Sequence, residues 1–153
     1  MSGIAPDGPD GRGGPGGRAL PTPAVPPSAI TAHTAPFWAG LAEGRLRLLR
    51  CDDCGGVIWY PRPLCPHCHG ARATWFDASG QGAIYSFTVV RRGSGVYADA
   101  APYVVAYVEL DEGPRVLTNI VDWAARDLRV GAPVEAVLTA VADGAPLLRF
   151  RLR

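Results

Sequence analysis

From residue 83 to its end the chain alternates apolar and polar positions with a period close to two. Residues 83–91 carry Ile84, Tyr85, Phe87, Val89 and Val90 and predict a first long strand. Residues 103–110 put Val104, Ala106, Val108 and Leu110 on one face, as a half-buried second strand does. The turn residues Asp111, Glu112, Gly113 and Pro114 separate it from a third strand at 115–121, so the two are expected to form a hairpin. Asp122 reads as the N-cap of a short helix over 123–128. Gly131 and Pro133 break the chain before a fourth strand at 134–141. Asp143-Gly144 signals a turn into a fifth strand at 147–152. There Leu148, Phe150 and Leu152 share one face, while Arg149, Arg151 and Arg153 share the other. Five strands with a short helix between the third and fourth have the layout of an OB-fold barrel. A small sandwich is the competing all-β answer; the helix position and strand count favour the barrel.

Upstream the pattern changes. Phe37, Trp38 and Leu41 recur at helical spacing, with Thr34 placed to cap and Gly44 to end a short helix over 37–44. Residues 45–48 alternate like a strand and run into Cys51. Val57-Ile58-Trp59-Tyr60 is rich in strand formers and stops at Pro61. Trp75-Phe76 follows, then a turn at 79–82, and residues 92–101 read as a flexible loop.

Between these elements lie four cysteines, the full complement of the chain, as Cys51-x-x-Cys54 and Cys65-x-x-Cys68. Each pair can bend two thiolates toward one point, and two such turns offer a tetrahedron of sulfur. Gly55-Gly56 and His69-Gly70 follow the pairs, where a tight turn is needed. The spacing predicts a structural Zn²⁺ held by Cys51, Cys54, Cys65 and Cys68. Iron in a rubredoxin-like site is the chemical alternative, since tetrahedral S₄ suits either ion. Disulfides would suit a secreted chain, but no secretory signal layout is visible. A redox CxxC would sit near a βαβ pattern, which is absent from this sequence. Four sulfurs close the coordination shell, so the metal is expected to hold the fold and not to activate water. His67 and His69 are expected at the surface of the second knuckle.

Composition divides the chain. The first thirty of its 153 residues hold seven glycines and seven prolines. So little apolar surface cannot offset the entropy of ordering, and residues 1–35 are expected to be a disordered extension. Residues 36–78 are then the helix and ribbon, and 79–153 the barrel. No run approaches the roughly eighteen apolar residues of a spanning helix, which fits a cytoplasmic protein with reduced thiols. All fifteen cationic side chains are arginine, and the formal net charge is +1. That balance gives no broad basic field and argues against nucleic acid as the partner.

The motifs resemble the DUF35 family. They are Phe37-Trp38 with Gly44-Arg45-Leu46, the first cysteine pair, Pro61-Arg62-Pro63-x-Cys65-Pro66-x-Cys68, and Gly80-x-Gly82-x-Ile84-Tyr85-Ser86-Phe87. Pro102-Tyr103-Val104-Val105-Ala106, residues 113–121 and Val130-Gly131-x-Pro133-Val134 complete the set. The resemblance spans residues 36–153. It implies a mainly β chain: a short N-terminal helix, a rubredoxin-like zinc ribbon and a five-stranded OB-fold barrel. It also implies an accessory subunit whose partner is a thiolase-like, acyltransferase, aldolase or hydratase protein acting on acyl-CoA or an acyl carrier. The reactive residues of such complexes sit on the partner, so no independent turnover is expected of this chain. No Ser-His-Asp order, phosphate-cradling loop or HExxH is present in the sequence.

Within that expectation, Arg62, Arg91 and Arg92 are the candidates for meeting a CoA phosphate, because a guanidinium donates bidentately. The second strand's other face, Tyr103, Val105, Tyr107 and Glu109, is unusually apolar for a solvated surface. It is either a contact surface or the place where the ribbon or helix packs. Phe37, Trp38, Tyr103 and Tyr107 are the candidate interface residues, with core packing as the alternative for the first two. A nucleic-acid-binding ribbon and OB-fold module is the rival function, in which Tyr103 and Tyr107 would stack on bases.

Overall fold

The computed structural model describes residues 3–4, 20–22, 30–141 and 145–153. Helix α1 spans Ala35–Ala42. It begins after Thr34, but the Thr34 side chain does not cap it; its Oγ1 accepts the Thr31 N–H at 2.8 Å. Pro36 lies in the first turn instead, where a fixed φ and a missing N–H cost nothing. Gly44, at φ +78°, turns the chain out of the helix.

Strands β1 (Arg47–Cys51), β2 (Val57–Ile58) and β3 (Ala73–Asp77) form an antiparallel sheet in the order β2-β1-β3. The predicted strand over 57–60 is only two residues long. Trp59 and Tyr60 leave the sheet, and their rings meet Phe37 edge-on at 5.5 and 5.6 Å between centroids. Aromatic packing on α1 wins there over strand propensity.

Strands β4 (Gln81–Val90), β5 (Tyr103–Leu110), β6 (Arg115–Val121), β7 (Pro133–Thr139) and β8 (Leu147–Leu152) close a barrel in the order β4-β5-β6-β8-β7. Only the β6–β8 pairing is parallel. The expected helix over 123–128 is not there. Asp122 sits at φ +51°, far from the extended backbone of an N-cap. A single turn bond, Asp127 N–H to the Ala124 carbonyl, stands where the helix was expected. Trp123 is drawn into the core instead. The barrel closes without the helix, one of the two features that had favoured it over a sandwich, while the count of five strands holds. The turn expected at Asp143-Gly144 lies outside the described residues.

Val104, Ala106, Val108, Ile120, Val134 and Phe150 fill the barrel, and the same core runs on to Phe37, Leu41, Leu46 and Leu48. Helix, ribbon base and barrel therefore share one apolar interior. What the ribbon owns separately is small: Leu49, Cys51, Ile58 and Cys65.

The N-terminal extension is not wholly free of the fold. The Ile4 N–H donates to the Gly44 carbonyl at 2.8 Å, and Ile4 packs against the main core. Leu20 is buried. At these residues the expected disorder does not hold, because isolated apolar side chains find apolar slots. The other residues before 30 lie outside the described set. No helix among the described residues is long and apolar enough to cross a membrane.

Candidate metal centre and docking surface

The two cysteine turns repeat one backbone design fourteen residues apart. In the first, the Gly55 N–H bonds the Cys51 carbonyl and the Cys51 N–H bonds the Gly56 carbonyl. In the second, the His69 N–H bonds the Cys65 carbonyl and the Cys65 N–H bonds the Gly70 carbonyl. Gly55 at φ +73° and His69 at φ +64° hold the matching left-handed position. Each knuckle thus aims its two sulfurs into the space between the loops.

The four Sγ atoms lie within 4.8 Å of one another. Cys51 and Cys68 are 3.5 Å apart, and Cys54 and Cys65 are 3.7 Å apart. A tetrahedron with metal–sulfur bonds of about 2.3 Å has an edge of about 3.8 Å, so the spacing fits one central ion. Both separations far exceed a disulfide bond of about 2.05 Å, and all four cysteines are free thiols. Cys51 and Cys65 are buried while Cys54 and Cys68 face outward.

The thiols cannot all ionise side by side. Burial opposes ionisation of Cys65 most strongly, but the His67 and Cys68 N–H groups and the Cys54 and Cys51 sulfurs outweigh it and pull the thiol down to about 6. For Cys68 the largest influence is the Gly70 N–H, which lowers it; the Cys54 and Cys51 sulfurs and burial overrule that and push it up to about 12. A divalent cation at the centre removes this conflict, and binding it must release protons.

His67 does not join the sulfur set. Its ring lies over Gly56, and Nε2 is 3.3 Å from the Val57 carbonyl. A Cβ on Gly56 would come within 2.6 Å of His67 Cδ2, so the ring would have to swing away and lose that contact. Gly56→Ala is therefore expected to cost about 1 kcal/mol, the net worth of one hydrogen bond. In a His67→Ala background it is expected to cost much less. Denaturant unfolding of the four chains in that cycle checks the coupling.

The remaining predicted residues separate into three groups. Phe37 is core, 2 % exposed, and presents no surface of its own. Trp38 and Trp59 instead border an apolar groove of about 290 Å³ between α1 and the barrel, with Tyr97, Leu117, Leu148 and Arg149 opposite. Arg62 donates to the Tyr60 and Trp59 carbonyls, while Arg91 and Arg92 lie exposed just past the end of β4.

The outward face of β4–β5–β6 holds the third group. Tyr107 is 46 % exposed and faces Leu117, 59 % exposed, across the β5–β6 ladder. Neither ribbon nor helix covers them. Tyr85, exposed at a register shift in β4, carries the Arg115 guanidinium over its ring at 3.5 Å. Arg115 in turn pairs with Glu109 at 2.8 Å. Tyr103 is half-covered by Tyr97, 5.3 Å away between ring centroids. The sequence pointed to Tyr103 and Tyr107; it did not point to Tyr85 or Leu117, which lie on strands for which no outward face was read.

On β8 the arginine face is not a free basic stripe. Arg149 is buried, Arg151 pairs with Glu135, and Arg153 donates to the Gln81 side chain at 2.8 Å.

Comparisons with known proteins agree with this architecture. The family model for the ChsH2 rubredoxin-like zinc ribbon domain matches residues 38–73, and that for the ChsH2 C-terminal OB-fold domain matches residues 75–139. A DUF35 domain-containing scaffold protein of Methanocaldococcus jannaschii is 38% identical over 98 residues, 62% of this chain and 68% of that one. The 3-oxo-4,17-pregnadiene-20-carboxyl-CoA hydratase alpha subunit of Mycobacterium tuberculosis is 33% identical over 67% of this chain, which spans only 32% of that subunit. Among solved structures, the Ltp2-ChsH2(DUF35) aldolase is similar, with a TM-score of 0.71 and 34% identity over 81% of this chain and 97% of that one. With the ribbon and the barrel each matched, and the scaffold protein covered over more than two thirds of its length, the chain belongs to the DUF35 family.

Proposed function

We propose that the chain is a non-catalytic accessory subunit, stabilised by one Zn²⁺ on Cys51, Cys54, Cys65 and Cys68, that docks onto an acyl-CoA-handling enzyme of the hydratase or aldolase kind. Thiolase-like and acyltransferase partners fall within the same reading. The observation that carries it is the near-complete overlap with the DUF35 chain of an aldolase, together with an uncovered aromatic face. The hydratase relative, whose name carries a CoA thioester, has a segment similar to this chain built in.

Tyr85, Tyr107 and Leu117 supply the contact on this reading. Apolar and aromatic side chains left to water on one sheet face are what a partner buries. Arg91 and Arg92, exposed just past the end of β4, are the candidates for a CoA or carrier phosphate; Arg62 is the third candidate. Residues 36–78 and 79–153 share part of one core, so the barrel carries the metal-bound ribbon. The cytoplasm, with its reduced thiols, suits the cysteine site.

The test is co-purification of the chain with a hydratase- or aldolase-like protein encoded beside it. Tyr107→Asp and Leu117→Asp are each expected to weaken that complex about 30-fold, the loss of a central contact worth about 2 kcal/mol. Both sites are exposed, so the isolated chain should keep its stability. Unchanged affinity in both variants sinks this docking face. Loss of acyl-CoA affinity in the complex on Arg91→Ala with Arg92→Ala supports the phosphate role, and unchanged affinity removes it.

A further inference from the structure

Outside the barrel, on the wall formed by β6, β8 and β7, lies a second apolar cluster that neither the metal nor the docking face uses. Val121 opposes Arg151, and Val137 opposes Arg149. Inward Phe150 lies between those arginines along β8, so both valines point away from the barrel interior. Side chains on an outer wall normally meet water, yet both valines are fully buried and Arg149 is 2 % exposed. Leu20 covers them, together with Ala100, and Tyr97 and Tyr103 close the rim. The next residue adds a polar contact: the Arg149 guanidinium donates to the Pro21 carbonyl at 2.5 Å.

Two features here define a recognition site. One is an apolar slot that takes a single branched side chain. The other is a buried guanidinium placed for the carbonyl that follows, a charge-assisted bond of the stronger kind. Together they read an extended peptide as side chain plus backbone. We propose that this wall is a peptide-binding slot and that its resident is the chain's own Leu20-Pro21, which plugs it in cis. Tyr97 and Arg149 also border the groove lined by Trp38 and Trp59. Seating Leu20 therefore sets the position of two walls of that groove. While Leu20 is in place, no other segment can enter the slot. The inference goes beyond the docking reading and stands whether or not the β4–β5–β6 face binds an enzyme.

The test uses the full chain. In the wild type, Leu20 methyl protons are expected to show nuclear Overhauser contacts to Val121 and Val137 methyls. Leu20→Asp is expected to abolish them, lower the Tm by about 4–8 °C and shift the Tyr97 and Tyr103 resonances. A synthetic peptide of residues 16–26, added to the Leu20→Asp chain, should return those resonances toward wild-type positions. The same peptide with Leu20→Asp should not. Absence of the methyl contacts in the wild type overturns the proposal. So does a Leu20→Asp chain whose Tyr97 and Tyr103 signals are unmoved, or a peptide that restores nothing. Should Leu20→Asp fail to fold, the wild-type methyl contacts still decide the matter.

Discussion

Removing the metal with a strong chelator, or replacing Cys65 with serine, is expected to unfold the ribbon while the barrel strands stay paired. The ribbon's separate core is four side chains, two of them cysteines, and β2 contributes only Val57 and Ile58. So small a cluster cannot offset the ordering of some thirty residues. A structural zinc supplies an apparent 10–16 kcal/mol, about the size of a whole domain's stability. Without it the knuckle bonds Gly55–Cys51 and His69–Cys65 have nothing to hold them. Hydrogen exchange checks this. Amides of residues 47–77 should lose protection on chelation, and those of β5 and β6 should keep most of theirs. Acid should act in the same direction. Protons compete with the metal for thiolates, so occupancy and ribbon protection fall together as the pH drops. Fully protected ribbon amides in excess chelator, with no metal left on the protein, would contradict the account.

Phe150→Ala is expected to cost about 3–5 kcal/mol. The ring is fully buried, opposite Ile120 on β6 and Ala136 on β7. Strand β8 sits between those two in the barrel order. A cavity there weakens the parallel β6–β8 pairing, which joins only Ile120 to Phe150 and Val121 to Arg151. Against a typical domain stability of about 5–15 kcal/mol, the loss leaves a marginal barrel. Leu152→Ala on the same strand removes a half-buried side chain and should cost less. Urea unfolding of both variants checks the order. Equal costs would mean that the barrel interior is not packed around Phe150.

How much of this was legible in the sequence depends on how local its cause is. The limits of β5, β6 and β8 follow from period-two alternation closed by turn residues, and all three lie where the pattern put them. The cysteine spacing is equally local, and it brings the four sulfurs together. The failures share a different cause. Asp122 looks like a cap until the barrel forces it to φ +51° to bury Trp123. Leu20 is one leucine in a Gly/Pro-rich stretch with no periodicity, so nothing nearby announces a slot more than a hundred residues away. Arg149 alternates with Arg151 and Arg153 and reads as solvated, yet it lies beneath Pro21. Phe37 and Trp38 look alike in sequence, and only packing against Trp59 and Tyr60 sends the first inward. The register shift between Ile84 and Ser86, which sets Phe87 opposite inward Ala106, has no signature in the residues around it.

The central claim is a division of labour: this chain binds and the partner reacts. Acyl-CoA turnover measured on the metal-bound chain alone, the partner alone and the two mixed tests it most directly. The account predicts no turnover from the chain alone and higher activity or stability of the partner in the mixture. Turnover by the purified chain alone, lost on substitution of one of its own side chains, would contradict it.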